Sequence, residues 1–365
     1  MRKYFIVTAM AAMLIAAPGC GKSSTESGDG TDDGVDNGEF KEDFVDDAAD
    51  AVPDEEGDDA VEDAAPDTAP DPAEDTPPEI VEDNVEDIET ESELPVLCPV
   101  EGDIGPGDHK IDISHDGRDR SYDVHVPGSY NSSTPMPLFI NMHGFSSNGW
   151  QQVLFSGMNA GADLKGYIAI YPYGIGNSWN GGTCCGTAAS EDIDDVGFMK
   201  AIVEDISTKL CVHPGHVYAT GMSNGGYMSH RLGCEAGDVF AGVAPVVGAM
   251  GIDDCSPDRP MPILIFHGTE DGLVAYEDGR AALEDWVGHN GCTEFFEIVE
   301  FGESWCEIYE DCDDDVKTAM CSLNPMGHCW PGGSDALCFF AIGPYNDDII
   351  ANEYMFDFLM EFILP

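Results

Sequence analysis

Gly221-Met222-Ser223-Asn224-Gly225-Gly226 carries the most chemistry of any stretch in this sequence. An apolar run, Val217-Tyr218-Ala219, precedes it, and a helix-like segment from Tyr227 to Leu232 follows. A G-x-S-x-G pattern between strand and helix holds its serine on a sharp, strained turn with the hydroxyl presented outward. A Cβ at either flanking glycine would meet the neighbouring strand or helix. Serine so placed is a nucleophile for acyl transfer. It then needs a base, an acid to orient the base, and an oxyanion hole.

Chain order narrows the partners, because the acid and then the histidine follow the serine in proteins built on this turn. Pro262 to Phe266 reads as a short buried strand running into His267-Gly268-Thr269-Glu270-Asp271. A carboxylate just past such a strand is placed for the triad, with Asp271 the first choice and Glu270 the second. Val316 to Leu323 reads as a last strand. The loop Gly327-His328-Cys329-Trp330-Pro331-Gly332 follows it, making His328 the candidate base. Asn224 N–H is one expected oxyanion donor. Phe145 N–H is the other, since Leu138 to Met142 reads as a strand entering His143-Gly144-Phe145. His143 and His267 are expected to shape turns. His230, on the helix after the elbow, is expected to face solvent or a cap partner.

The elements that must hold these residues are legible from periodicity. Asp108 to His115 and Arg120 to Val126 read as an opening hairpin, with Tyr122, Val124 and Val126 alternating with Asp123 and His125. Tyr167 to Tyr171 and Phe240 to Val247 read as buried strands. Val196, Met199, Val203, Ile206 and Leu210 recur at helical spacing, and Ala281 to Val287 and Tyr354 to Ile363 read as further helices. Strands alternating with helices predict an α/β fold with a mostly parallel sheet covered on both faces. The site is then expected at the carboxyl edge of the strands.

These segments resemble one family: secreted α/β-hydrolase esterases of the polyhydroxybutyrate depolymerase-like and feruloyl esterase-like group, akin to carbohydrate esterase family one. The resemblance rests on Leu138 to Phe145, Ser178-Trp179-Asn180, Cys184-Cys185-Gly186, Asp194-Asp195-Val196-Gly197-Phe198, Gly221 to Gly226, His267 to Asp271 and Gly327 to Gly332, in family order across residues 98–365. Two positions depart from the pattern. Met326 stands where a glycine often precedes the histidine, and Val274-Ala275-Tyr276 stands for Val-Pro-Tyr. The resemblance implies a disulfide-rich α/β-hydrolase fold, a Ser223-His328-Asp271 triad and no cofactor. It implies feruloyl or acetyl esters of plant xylan as substrates, with polyhydroxyalkanoate esters as the alternative. Trp179 and Trp330 border the expected site, either as an aromatic wall for substrate or as core packing; the resemblance places the Trp179-Asn180 segment near substrate. A catalytically silent envelope binding protein on the same scaffold is the reading from another class, and a peptidase ranks below it.

Charge and cysteines bound the rest. The chain has 365 residues and a formal net charge of −57. Residues 21–97 hold 30 of its 71 acidic side chains against two lysines, Lys22 and Lys41. With only Phe40 and Phe44 as aromatics, that segment reads as a disordered, self-repelling linker. Residues 98–365 keep 41 acids and 10 bases, which disfavours nucleic acid and anionic lipid surfaces as partners. Residues 1–20 read as an export signal: a basic Met1-Arg2-Lys3, an apolar run from Tyr4 to Ala17, and Pro18-Gly19-Cys20. Cys20 resembles a lipobox cysteine, so the expected place is the cell envelope or the extracellular space, with membrane attachment through lipid alone and a monomeric enzyme. The other 12 cysteines suggest up to six disulfides. Cys234–Cys255 and Cys329–Cys338 are the first pairings expected from loop proximity, and adjacent Cys184 and Cys185 are expected to find separate partners. A metal site using Cys306, Cys312, Cys321, His328 and Cys329 is disfavoured, because their spacings do not match zinc pairs.

Overall fold

The computed structural model describes residues 98, 104–294, 296–338 and 342–364. The expected signal, Cys20 and the acidic linker lie outside the described residues. Among those described, ten strands make one sheet: β1 (Gly107–His115), β2 (Arg118–Val126), β3 (Met136–Met142), β4 (Ile168–Pro172), β5 (Val212–Met222), β6 (Gly242–Val246), β7 (Ile263–Gly268), β8 (Glu297–Phe301), β9 (Ser304–Tyr309) and β10 (Thr318–Leu323). Seven α-helices accompany them: α1 (Gly149–Ser156), α2 (Met158–Lys165), α3 (Gly186–Ser190), α4 (Asp195–Ser207), α5 (Asn224–Glu235), α6 (Tyr276–His289) and α7 (Ala351–Leu359).

The strand order is β1-β2-β4-β3-β5-β6-β7-β10-β9-β8. The run from β4 to β10 is parallel, and both edges close with antiparallel pairs. This is an α/β-hydrolase sheet. Its topology places the site: from β3 the chain crosses to β4 on one side, then returns to β5 on the other. Connections leaving the carboxyl ends of β3 and β5 therefore diverge, and the crevice between them is where a ligand fits.

Alternation along the strands fills both faces. Leu138, Ile140 and Met142 of β3 and Ile263 and Ile265 of β7 pack with Phe198 and Ile202 of α4, Leu232 of α5 and Trp286 of α6. Phe139, Leu264 and Phe266 point the other way, to Met158 of α2 and Met355 and Phe358 of α7. Central strands buried on both faces read as continuous apolar runs. Five elements carry weaker patterns and go unanticipated: the two eight-residue helices α1 and α2, the five-residue α3, and the β8–β9 hairpin, whose β8 is half exposed at the sheet edge.

Six disulfides form, and the two pairings expected from loop proximity, Cys234–Cys255 and Cys329–Cys338, are among them. Cys184 and Cys185 bond to each other, against expectation. The other ten described cysteines pair among themselves, and these two sit together in the turn before α3, packed on Tyr227, Ala249 and Val274. Cys98 joins Cys211, whose carbonyl accepts from Met136 N–H, at the amino-terminal edge of the sheet.

One buried ion pair ties the sheet edge to the site. Arg120 Nη2 of β2 lies 2.7 Å from Asp195 Oδ1 of α4, both side chains essentially unexposed. The guanidinium also stacks 3.6 Å over Phe198, and Asp195 Oδ2 accepts from Asn180 N–H at 2.9 Å. Burial lowers the pKa of Arg120 and raises that of Asp195, and their attraction opposes both shifts. Asp195→Ala leaves a buried, uncompensated guanidinium and is expected to cost about 3–5 kcal/mol in urea denaturation. Asp195→Leu combined with Arg120→Met, which removes both charges, is expected to cost far less; equal losses would show that the charges do not matter.

Candidate active site

Ser223 occupies the turn between β5 and α5 at φ 58°, ψ −120°, a strained conformation for a residue with a Cβ. Its neighbours make that turn possible. A Cβ at Gly221 would come within 2.7 Å of the Gly225 backbone and the Met142 carbonyl, and one at Gly225 would run into Met142 itself. One at Gly226 would meet the Val246 carbonyl at 2.8 Å. The elbow helix thus lies directly on the ends of β3 and β6. The serine caps the amino terminus of α5, where unsatisfied N–H groups and the helix dipole favour negative charge.

His328 and Asp271 meet as the chain order predicts. His328 Nδ1 lies 2.7 Å from Asp271 Oδ2, with both side chains buried. Carbonyl-rich backbone holds the histidine loop: His328 N–H donates to Ile342 O and Gly327 N–H to Pro344 O. Asp271 Oδ1 accepts from Leu273 N–H at 2.8 Å and Val274 N–H at 3.0 Å. Burial works to raise the Asp271 pKa, but the charge and hydrogen bond of His328, aided by His267 and the Val274 N–H, hold it below the usual carboxylate value. Glu270, the runner-up, is exposed. Ala275 caps α6 at φ −60°, the value a proline would enforce, so that departure from the family pattern leaves the backbone as it was. Met326 is fully buried in the core.

Ser223 and His328 line one cavity of about 30 Å³ with Gly144, Phe145, Ser147, Gln152, Phe155, Met222 and Ile342. A Cβ built on Gly144 would lie 3.4 Å from that of Ser223, so the loop after β3 passes close beside Ser223. That loop is fixed by its own bonds. His143 Nδ1–H donates to Gly144 O, its Nε2 accepts from Gly174 N–H, and Ser146 N–H donates to Asn177 O. Among the described residues, Phe145 N–H and Asn224 N–H have no hydrogen-bond acceptor, as oxyanion donors require. The Asn224 side chain has a role the sequence did not suggest. Its Oδ1 accepts from Trp179 N–H at 2.7 Å and its Nδ2 donates to Trp179 O at 3.0 Å. Gln152, Phe155 and Ile342 are likewise new as lining residues; the first two sit on an unanticipated helix.

Two expectations need correction. Trp179 and Trp330 are 0% and 2% exposed. Trp179 Nε1–H donates to His143 O, and Trp330 Nε1–H to Asn352 Oδ1. Both shape the site from behind, as core residues, and neither offers a face to substrate. His230 is fully buried rather than facing solvent, because it accepts from Trp286 Nε1–H. The cysteines weighed as metal ligands are held in Cys306–Cys321, Cys292–Cys312 and Cys329–Cys338.

Comparison with known proteins bears on this geometry. No protein-family model matches the chain. Feruloyl esterase B of Piromyces equi is 33% identical over 230 residues, which are 56% of this chain and 42% of that protein. Over that span the chain is similar to feruloyl esterases. It spans less than half the length of that relative. The putative esterase NocK of Nocardia uniformis subsp. tsuyamanensis is 27% identical over 275 residues, 67% of this chain and 80% of that protein. Among solved structures, an acetyl xylan esterase from Aspergillus awamori aligns over 60% of this chain and 94% of its own at 15% identity and a TM-score of 0.49.

The buried histidines set an acid limit for this fold. Burial pushes His143 down to about 4 and His230 down to about 3, and it also lowers His267. An unfolded histidine titrates near 6.5, so below that pH the unfolded chain binds protons that these sites refuse. Stability is therefore expected to fall with pH from about 6.5 towards 4, by up to about 1.4 kcal/mol per pH unit for each histidine. Urea denaturation at pH 7, 6 and 5 checks this, and a flat profile would contradict neutral burial.

Proposed function

We propose that this chain is an exported serine carboxylic ester hydrolase, acting on feruloyl or acetyl esters of plant polysaccharide through an acyl-enzyme. The hydrogen bond between His328 and Asp271, at a cavity shared with Ser223, carries the reading. Ser223 Oγ attacks the ester carbonyl while His328 takes its proton and passes it to the leaving alcohol. Asp271 fixes the proton of His328 on Nδ1 and stabilises the imidazolium. The N–H groups of Phe145 and Asn224 receive the oxyanion, each worth about 3 kcal/mol of transition-state stabilisation. Water then repeats the sequence on the acyl-enzyme. No cofactor is needed.

Support for the substrate class comes from relatives whose names read feruloyl esterase and bifunctional acetylxylan esterase/xylanase. The cavity of about 30 Å³ beside Ser223 is apolar, from Phe145, Phe155, Met222 and Ile342. It has room for one or two carbons, at roughly 10–15 Å³ per water-sized probe. An acetyl group fits inside, and a feruloyl ring has to extend beyond it. Six disulfides accord with export, and lipid on Cys20 would tether a monomeric enzyme to the envelope. Polyhydroxyalkanoate hydrolysis is the alternative within the same chemistry. A silent binding protein is disfavoured by the joint presence of Ser223, His328 and Asp271.

Purified residues 98–365, assayed on acetylated xylan, methyl ferulate, 4-nitrophenyl butyrate and hydroxybutyrate oligomers, are expected to turn over at least one ester. Ser223→Ala is expected to lower that rate by about a thousandfold or more. Turnover of none by folded, disulfide-bonded protein would support the binding reading instead.

A further inference from the structure

Two buried histidines behind Asp271 are not used by the proposed hydrolysis. His267 ends β7 with its ring fully enclosed. Its Nε2 lies 3.0 Å from Val274 O. A carbonyl only accepts, so the proton is on Nε2 and Nδ1 is an acceptor. The same Nε2 lies 3.7 Å from Asp271 Oδ2, the oxygen that binds His328. Val274 is therefore gripped twice: its N–H by Asp271 Oδ1 and its carbonyl by His267.

The second histidine has the complementary arrangement. On α5, His230 Nδ1 accepts from Trp286 Nε1–H at 3.0 Å. Indole only donates, so the His230 proton is on Nε2. His230 Nε2 and His267 Nδ1 are both buried without a protein partner. One is a donor and the other an acceptor, and the proximity of His267 helps keep His230 neutral. Gly279 of α6 leaves room for this packing, since a Cβ there would overlap the His267 ring. Around His267 the other titratable groups are Asp278 and Tyr276 on α6, His328 on its loop and His230 on α5.

We propose that His267 is a positioning residue for the triad carboxylate: its neutral Nε2–H holds the Val274 carbonyl while the Val274 N–H holds Asp271 Oδ1. A neutral His267 holds this loop without adding a second charge beside His328. It also fixes the loop from Asp271 to Val274 against β7, so that Oδ2 stays aimed at His328 Nδ1. The kinetic part of its test rests on the hydrolase reading above; the spectroscopic part does not.

Nitrogen-15 spectra of the histidines in residues 98–365 at pH 7 are expected to show His230 and His267 neutral, each protonated on Nε2. His267→Leu is expected to lower kcat about tenfold or more with KM within about twofold, as loss of an outer-shell partner does. It is also expected to move the low-field proton resonance of the His328–Asp271 bond. His267→Gln, which offers an amide N–H at the same place, is expected to recover most of kcat. A charged or Nδ1-protonated His267 in the unmodified protein would overturn the proposal, even where a variant fails to fold. Equal losses in His267→Leu and His267→Gln would overturn it too, as would a kcat that only follows the folded fraction. Absence of Ser223-dependent turnover in the unmodified protein would defeat the hydrolase reading and leave the spectra to judge the state of His267.

Discussion

Everything at this site depends on how closely the backbone of α5 approaches the end of β3. Gly221 and Gly225 allow it, because any side chain there would meet the Met142 carbonyl or the opposite arm of the turn. The approach leaves Ser223 at positive φ, strained but held on both sides. It also sets the amino terminus of α5 beside Gly144 and Phe145. One steric condition therefore fixes the position of Ser223 and of both prospective oxyanion donors.

The remaining parts are fastened to that point mainly through backbone atoms. The Asn224 side chain clamps both backbone groups of Trp179, and Asp195 holds Asn180 N–H while pairing with Arg120. His143 braces the oxyanion loop against Gly144 and Gly174. Backbone groups have no rotamers, so each clamp positions a loop with little loss of side-chain entropy. Asp271 is held in the same way, by two N–H groups of its own loop. Preorganisation of this kind is what an electrostatic transition-state site requires.

The parts legible in the sequence were those whose cause is local. The elbow glycines announce a steric requirement within five residues, and the buried strands β3, β4 and β7 announce themselves by unbroken apolar runs. Asp271 and His328 followed from chain order. Helices α1 and α2 are only eight residues each, too short for periodicity to emerge, which hid Gln152 and Phe155. The tryptophans stayed open between wall and core because proximity to a motif says nothing about which way a ring faces. Trp179 turned inward because His143 O offered its N–H an acceptor, and Trp330 because Asn352 did. His230 failed as an expectation for the same reason: its partner, Trp286, lies 56 residues away in sequence. The Cys184–Cys185 bond was missed because a bridge between neighbouring residues was set aside as strained, while the other ten described cysteines, which the sequence could not pair, had taken one another.

The Cys98–Cys211 bond has a directional consequence. It anchors the head of the folded domain beside the first residue of β3, whereas Ser223 and the Gly144 loop lie at the opposite end of that strand. β3 is seven residues long, so the anchor and the site are about 23 Å apart at roughly 3.3 Å per residue. A surface that holds this protein by its head would have the crevice at Ser223 facing away from it. Bulky, insoluble material could then approach the crevice without first passing the point of attachment.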